Sequence, residues 1–275
     1  MCRLYAFTAT EPTKVECTLV HAQNALMAQS TGDMSGESHS EGWGIATFSN
    51  GKPFVERQAW AAYHGEHFER TAANIYAKTV LAHIRRASVG EPSLKNTHPF
   101  HVAPWVFAHN GTVPNFEHVK PILLAQTDPQ EAKAIQGQTD SEHVFAFIRS
   151  CLKEARDSDV VSIIRKAVLS VEMCSHEIDP NARPGLNIII TDGQQVFGTR
   201  LGRTLYHVYR DGVVDCQICG FPHVHHDPRT AYRASVIASE PLSDEKWVEV
   251  PDRSIWSVAP DTKQILIAPL DLAQS

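Results

Sequence analysis

Cys2 stands directly behind the initiator methionine in the opening MCRLYAF. Removal of Met1 leaves one residue carrying both a thiol and a free α-amino group, and an α-amine that titrates near about pH 8 can serve as general base for that thiol. The alternative is a small hydrophobe that opens an edge strand, since CRLYAF alternates as a strand does. Arg85 and Arg86 close the apolar run of LAHIRRASVG, where a strand delivers its last side chains to a cleft. A guanidinium there can hold a carboxylate through two parallel hydrogen bonds, or make an ordinary surface ion pair. FAHNGT ends in Asn110 and Gly111, whose side-chain amide and backbone N–H are the donors an oxyanion needs; the same pair also reads as an Asn-Gly turn. Asp140 in GQTDSEH opens a helical pattern, and its carboxylate can cap the helix or hold an ammonium group.

A second group of chemically capable residues lies in CQICGFPHVHH: Cys216, Cys219, His223, His225 and His226. Their types and local spacing suit zinc, although the second ligand pair of the common zinc motifs is absent; the alternative is thiols and imidazoles in a Gly/Pro-rich loop. A redox role for the CxxC lacks a thioredoxin-like βαβ context. His83, His98, His101 and His109 crowd the strand ends, and most read as supporting or surface groups, because a cysteine with its own amine requires no catalytic imidazole.

Elements must position these residues. VECTLVHAQNALMAQS has helical spacing, GWGIATF reads as a strand, and TVLAHIRRAS and WVFAHNG are β-rich runs that end in polar residues. NFEHVKPILLAQ, DSEHVFAFIRSCLKEA and DVVSIIRKAVLSVEMC are helical, the first opened by an Asn cap and the second by an Asp. GLNIIITD, QQVFGTR, TLYHVYR, ASVIAS and SIWSVAP return to strands. Strand blocks around a helix block predict an α+β layered sandwich in place of a parallel βαβ fold. With no internal repeat or long linker, a single domain over residues 2–275 is expected.

Composition narrows the function classes. At 275 residues and 43% hydrophobic content the chain can bury a large core. A net charge of −6 gives no basic footprint, which argues against nucleic acid and anionic membrane as partners. No apolar stretch is long enough for a membrane helix and no signal-peptide pattern opens the chain, so a cytoplasmic location is expected, with the six sparse cysteines kept as thiols.

Taken together, Cys2, the GWG of 42–44, Arg85, NTHPF at 96–100, HNG at 109–111 and TDSE at 139–142 follow the order and spacing of class II glutamine amidotransferases. The chain resembles the stand-alone branch of that family, which includes γ-glutamyl hydrolases of ergothioneine and glutathione metabolism. ASEPLSDEKWVEVP at 238–251 is similar to a late segment of this branch. The resemblance implies the αββα four-layer fold of the N-terminal nucleophile hydrolases. It makes Cys2 the nucleophile with its freed amine as base, Asn110 and Gly111 the oxyanion hole, Arg85 the clamp for the substrate α-carboxylate and Asp140 the partner of its ammonium. Ser88 lies where the glucosamine-6-phosphate synthase form has a Thr near the substrate. That form carries Trp directly after the clamp Arg and His four residues after it, where this chain has Arg86 and Val89; such a loop suits an amide larger than that of glutamine. The implied substrate is glutamine or another γ-glutamyl small molecule, with no cofactor required for catalysis. No synthase domain follows the glutaminase-like region here, so either a separate synthase subunit receives the ammonia or water ends the reaction. Two rivals stand beside this reading: a catalytically silent regulatory module, and an N-terminal-Cys acylase, which would not need the HNG and TDSE pair.

Overall fold

The computed structural model describes residues 2–32, 36–86, 90–154, 159–225, 227 and 229–271. The strand behind Cys2 runs far beyond Phe7: β1 spans Arg3–Lys14, with residues 3–9 all buried. It is followed by α1 (Leu26–Thr31), β2 (Trp43–Ser49), β3 (Lys52–Gln58), α2 (His67–Ala73), β4 (Tyr76–Ile84), β5 (Phe100–Val102) and β6 (Trp105–Thr112). The helix block comprises α3 (Phe116–Ala125), α4 (Pro129–Lys133), α5 (Asp140–Glu154) and α6 (Val160–Ile178). Strands β7 (Gly185–Thr191), β8 (Val196–Arg200), β9 (Tyr206–Asp211), β10 (Arg233–Ala238), β11 (Val248–Glu249), β12 (Ser254–Val258) and β13 (Ile265–Pro269) complete the chain.

Among the described residues the strands form two antiparallel sheets, ordered β11-β9-β10-β1-β4-β2-β3 and β13-β12-β8-β7-β6-β5. The cores show how they stack. Leu4, Ala6 and Leu81 of the first sheet meet Val106, Ala108, Ile189 and Trp256 of the second in one buried layer. The opposite face of the first sheet, with Tyr5, Phe7 and Trp43, packs on Leu19, Leu26 and Phe68. The opposite face of the second, with Phe107, Ile188 and Ile190, packs on Val119, Phe145, Ile148, Val168 and Val171 of α3, α5 and α6. This is the expected αββα sandwich, and burial on both faces explains why residues 4–7 of β1 are apolar without a break.

Several local expectations change. β1 lies between β10 and β4, so Cys2 does not begin an edge strand. VECTLVHAQNALMAQS splits into a π-helical turn at Cys17–His21 and the short α1, because Ala22 is extended. Asn24 reaches across to the carbonyl of Pro241 at 2.7 Å and its N–H donates to Leu242, which draws the chain off a helical path. Asn115 precedes α3 in the left-handed conformation at φ +53° and makes no side-chain cap, a backbone state that Asn tolerates. Asp159 does cap α6, accepting from the N–H groups of Val161 and Ser162.

Candidate active site

Register brings the first two residues together. Arg3 pairs with Ile84 and Leu4 with His83, so one step further outward sets Cys2 opposite Arg85 at the end of β4. On the other side of β4, Trp43 pairs with Ile84, and the Arg85 N–H donates to the Gly42 carbonyl at 2.7 Å. The Cys2 thiol donates to the Arg86 carbonyl at 3.3 Å and accepts from the Arg86 N–H at 3.4 Å. Burial pushes the thiol above its ordinary value, opposed by the Arg86 backbone and by the Arg85 charge, while Asp140 pushes in the same direction as burial. Arg85 is itself buried and donates to the carbonyls of Gly90 and Glu91, at 2.8 and 3.4 Å. The adjacent Arg86 pairs with Glu37, both side chains partly exposed.

The facing sheet supplies Asn110 and Gly111 from β6. Asn110 is buried; its Nδ2 donates to Ser239 Oγ at 3.3 Å, and its Oδ1 has no hydrogen-bond partner. Ser239 Oγ also accepts the Leu4 N–H at 2.9 Å, and the Ser239 N–H donates to the Leu4 carbonyl at 3.1 Å. One serine thus joins the start of β1 to the proposed oxyanion donor. Gly111 must be glycine because a Cβ there would run into the Gly185 carbonyl of β7.

Asp140, buried at the first turn of α5, fastens the other side of HNG. Its Oδ2 accepts the Val113 N–H at 2.8 Å and its Oδ1 the Ser141 N–H at 2.8 Å. The cap itself is Thr139, whose hydroxyl accepts the Glu142 N–H at 3.2 Å. Asp140 is the first helical residue, and its carboxylate, with about four acceptor positions, retains capacity for an ammonium. His109 donates through Nε2 to the Gly185 carbonyl at 2.8 Å, which leaves Nδ1 to accept from the Ser141 hydroxyl at 2.8 Å. Burial lowers its pKa and keeps this neutral tautomer.

His83 and His98 are likewise buried, their rings 4.2 Å apart, and His83 Nε2 donates to the His109 carbonyl at 3.2 Å, linking β4 to β6. Of the four histidines at the strand ends only His101 is exposed. Ser88 and His226 lie outside the described residues.

Two contributors escaped sequence reasoning. Ser239 is a short polar side chain at a strand end and carries no periodic signal. Glu240 forms a buried 2.6 Å ion pair with Arg3, whose guanidinium also donates to the Cys2 carbonyl at 3.1 Å. Both lie in the ASEPLSDEKW segment, which is where a signal existed.

Away from this site, Cys17, Cys216, Cys219 and His223 bring their donor atoms within 4.8 Å of one another, a Cys3His set able to hold a metal ion. Cys17, unremarkable in sequence, completes it from the π-helical turn. His225 stands apart, its ring against Tyr76 at 5.9 Å.

Comparison with known proteins bears on the family and the fold. The chain is similar to a probable glutamine amidotransferase, DUG3, of Saccharomyces cerevisiae, at 26% identity over 98% of this chain and 84% of that protein. It is similar also to the gamma-glutamyl-hercynylcysteine sulfoxide hydrolase of Mycobacterium tuberculosis, at 28% identity over 87% of this chain and 83% of that one. In fold it matches a glutamine aminotransferase class-II domain protein from Silicibacter pomeroyi, with TM-score 0.64 and 17% identity over 98% and 99% of the two chains. The glutamine phosphoribosylpyrophosphate amidotransferase of B. subtilis aligns at TM-score 0.62 and 15% identity, over 99% of this chain and 50% of that one. The two facing sheets are thus those of an N-terminal nucleophile hydrolase. Residues 1–267 match the family described as glutamine amidotransferases class-II, and with Cys2, Arg85, Asn110 and Asp140 held at one end of the sandwich, the chain belongs to that family.

Proposed function

We propose that this protein hydrolyses the γ-amide bond of a γ-glutamyl amide or peptide through a thioester on Cys2. Once Met1 is removed, the α-amine accepts the thiol proton as Sγ attacks the γ-carbonyl carbon. Asn110 Nδ2 and the Gly111 N–H stabilise the oxyanion. The C–N bond then breaks, the amine leaves with the proton, and water cleaves the thioester to glutamate and regenerated thiol. Arg85 binds the α-carboxylate and Asp140 the α-ammonium, so recognition rests on the γ-glutamyl head.

The observation that carries this reading is the Ser239 bridge, which sets Asn110 beside the strand that bears Cys2. Hydrolysis, ahead of ammonia transfer to a synthase subunit, is supported by the name of the mycobacterial relative and by Arg86. In this chain Arg86 is held toward Glu37 at the edge of the site, where it can meet a leaving group bulkier than ammonia.

The test compares protein of verified N-terminus on glutamine, glutathione and other γ-glutamyl amides, measuring glutamate release. A γ-glutamyl peptide with clearly higher kcat/KM than glutamine is expected, because leaving-group contacts then contribute to the transition state. Reaction with glutamine alone, accelerated by a co-purifying protein, would replace hydrolysis with a partnered amidotransferase.

A further inference from the structure

The loop joining β9 to β10 contains CQIC and its histidines, yet the catalytic residues make no use of it. Its conformation is organised around sulfur. The Ile218 N–H points at Cys216 Sγ at 3.4 Å, the Gly220 N–H donates to the Cys216 carbonyl at 2.8 Å, and Gly220 takes φ +76° to close the turn. Cys219 Sγ lies 3.2 Å from His223 Nε2, and the His223 carbonyl accepts the Lys14 N–H at 2.9 Å, fastening the loop to the end of β1. The fourth donor, Cys17, comes from the turn that follows β1, at the far end of the sequence from the other three.

We propose that Cys17, Cys216, Cys219 and His223 bind one Zn2+ as a closed structural site that pins this loop to β1. Three sulfurs and one imidazole nitrogen match the donor preference of zinc and its tetrahedral habit, with no position left open for substrate. Zinc–sulfur bonds of about 2.3 Å set sulfur–sulfur edges at roughly 3.8 Å, so donors already within 4.8 Å need move by only about 1 Å. The N–H directed at Cys216 Sγ is the kind of outer hydrogen bond that steadies a thiolate ligand. A cavity of about 450 Å³ lined by Cys17, Cys219 and His223 offers the ion a way in. Each thiol that binds releases one proton to solvent, and no electron is exchanged.

The site stands at the opposite end of β1 from Cys2; Arg3 and Lys14 pair with Ile84 and Tyr76, the two ends of β4, a separation of roughly 27 Å. Its contribution is therefore to the fold and not to the thioester chemistry.

Protein purified under reducing conditions from zinc-supplemented cells should carry one zinc per chain by elemental analysis, and a strong chelator should remove it with a fall in Tm and faster proteolysis between β9 and β10. Cobalt(II) added to the stripped protein should give the intense visible bands of a tetrahedral site, with a near-ultraviolet thiolate-to-cobalt band. Cys219→Ser should reduce that band by about a third and weaken zinc, measured against a chromophoric chelator, by more than the roughly 10–100-fold that losing an outer hydrogen bond costs. Cys17→Ser should do the same; because Cys17 is buried and its variant can lose packing as well, the exposed Cys219 variant is the primary measurement. Cys151→Ser should change nothing. Absence of zinc with no uptake by the stripped protein, octahedral cobalt spectra, or a Cys216–Cys219 disulfide in place of metal would each overturn the proposal.

Discussion

Asn110 Nδ2 and the Leu4 N–H both donate to the hydroxyl of Ser239, at 3.3 and 2.9 Å, so one oxygen joins the two sheets beside Cys2, the proposed nucleophile. Ser239→Ala would leave two buried donors unpaired, at about 1–3 kcal/mol each before any relaxation. We expect a lower denaturation midpoint and a kcat reduced by about tenfold or more, with KM changed less. Urea unfolding and steady-state kinetics check both; an unchanged kcat would mean that Asn110 is positioned by other contacts.

Processing and nucleophile are tested together. Cys2→Ala should lower glutamate release by at least about 1,000-fold, and protein that retains Met1 should be equally silent, because the amine is then an amide. The burial that raises the Cys2 pKa disfavours general alkylation there, whereas the exposed Cys219 thiol is lowered, chiefly by a hydrogen bond with the Phe221 backbone. In metal-stripped protein a neutral alkylating reagent should therefore modify Cys219 first. The glutamine-like electrophile 6-diazo-5-oxo-norleucine should instead add once, at Cys2, as read by peptide mass spectrometry.

Arg85→Lys keeps the charge and removes the planar fork. Loss of one charge-assisted hydrogen bond costs about 1.5–3 kcal/mol, or roughly 10–100-fold, and we expect it to be expressed in KM more than in kcat. Michaelis parameters on glutamine decide the point; an unaltered KM would remove Arg85 from substrate binding.

Stability should fall in acid through the buried histidines. Burial pushes the His83 pKa down to about 3, and His98 and His109 are also lowered by burial. Above about pH 6.5 both folded and unfolded states are neutral at His83 and it contributes no pH dependence. Between about pH 6.5 and 3 only the unfolded state takes up the proton, so folding loses up to about 1.4 kcal/mol per pH unit for each such histidine. Below about pH 3 the loss levels off. His83→Gln retains a donor for the His109 carbonyl without titrating, and its stability measured from pH 7 to 4 should decline less steeply than that of the parent. An identical slope would mean that His83 is protonated in the folded state.

The order of the chemistry was written in the chain: Cys2 behind Met1, Arg85 and Asn110 at the ends of apolar runs, Asp140 at a helix start. Periodicity also revealed β1, β2, β4, β6 to β10 and β12, together with α3, α5 and α6, because burial of one or both faces imposes a repeat that local sequence records. The short elements α2, α4, β3, β5, β11 and β13 bury too little to leave such a trace. What only tertiary structure decided were pairings between distant segments. Ser239 meets Asn110, Glu240 meets Arg3, and Cys17 meets Cys216, Cys219 and His223. These contacts depend on strand register and on how two sheets stack, which side-chain type at a single position does not encode. The same stacking buried His83, His98 and His109, residues that looked peripheral, and made His83 a link from β4 to β6 and His109 one from β6 to β7 and α5.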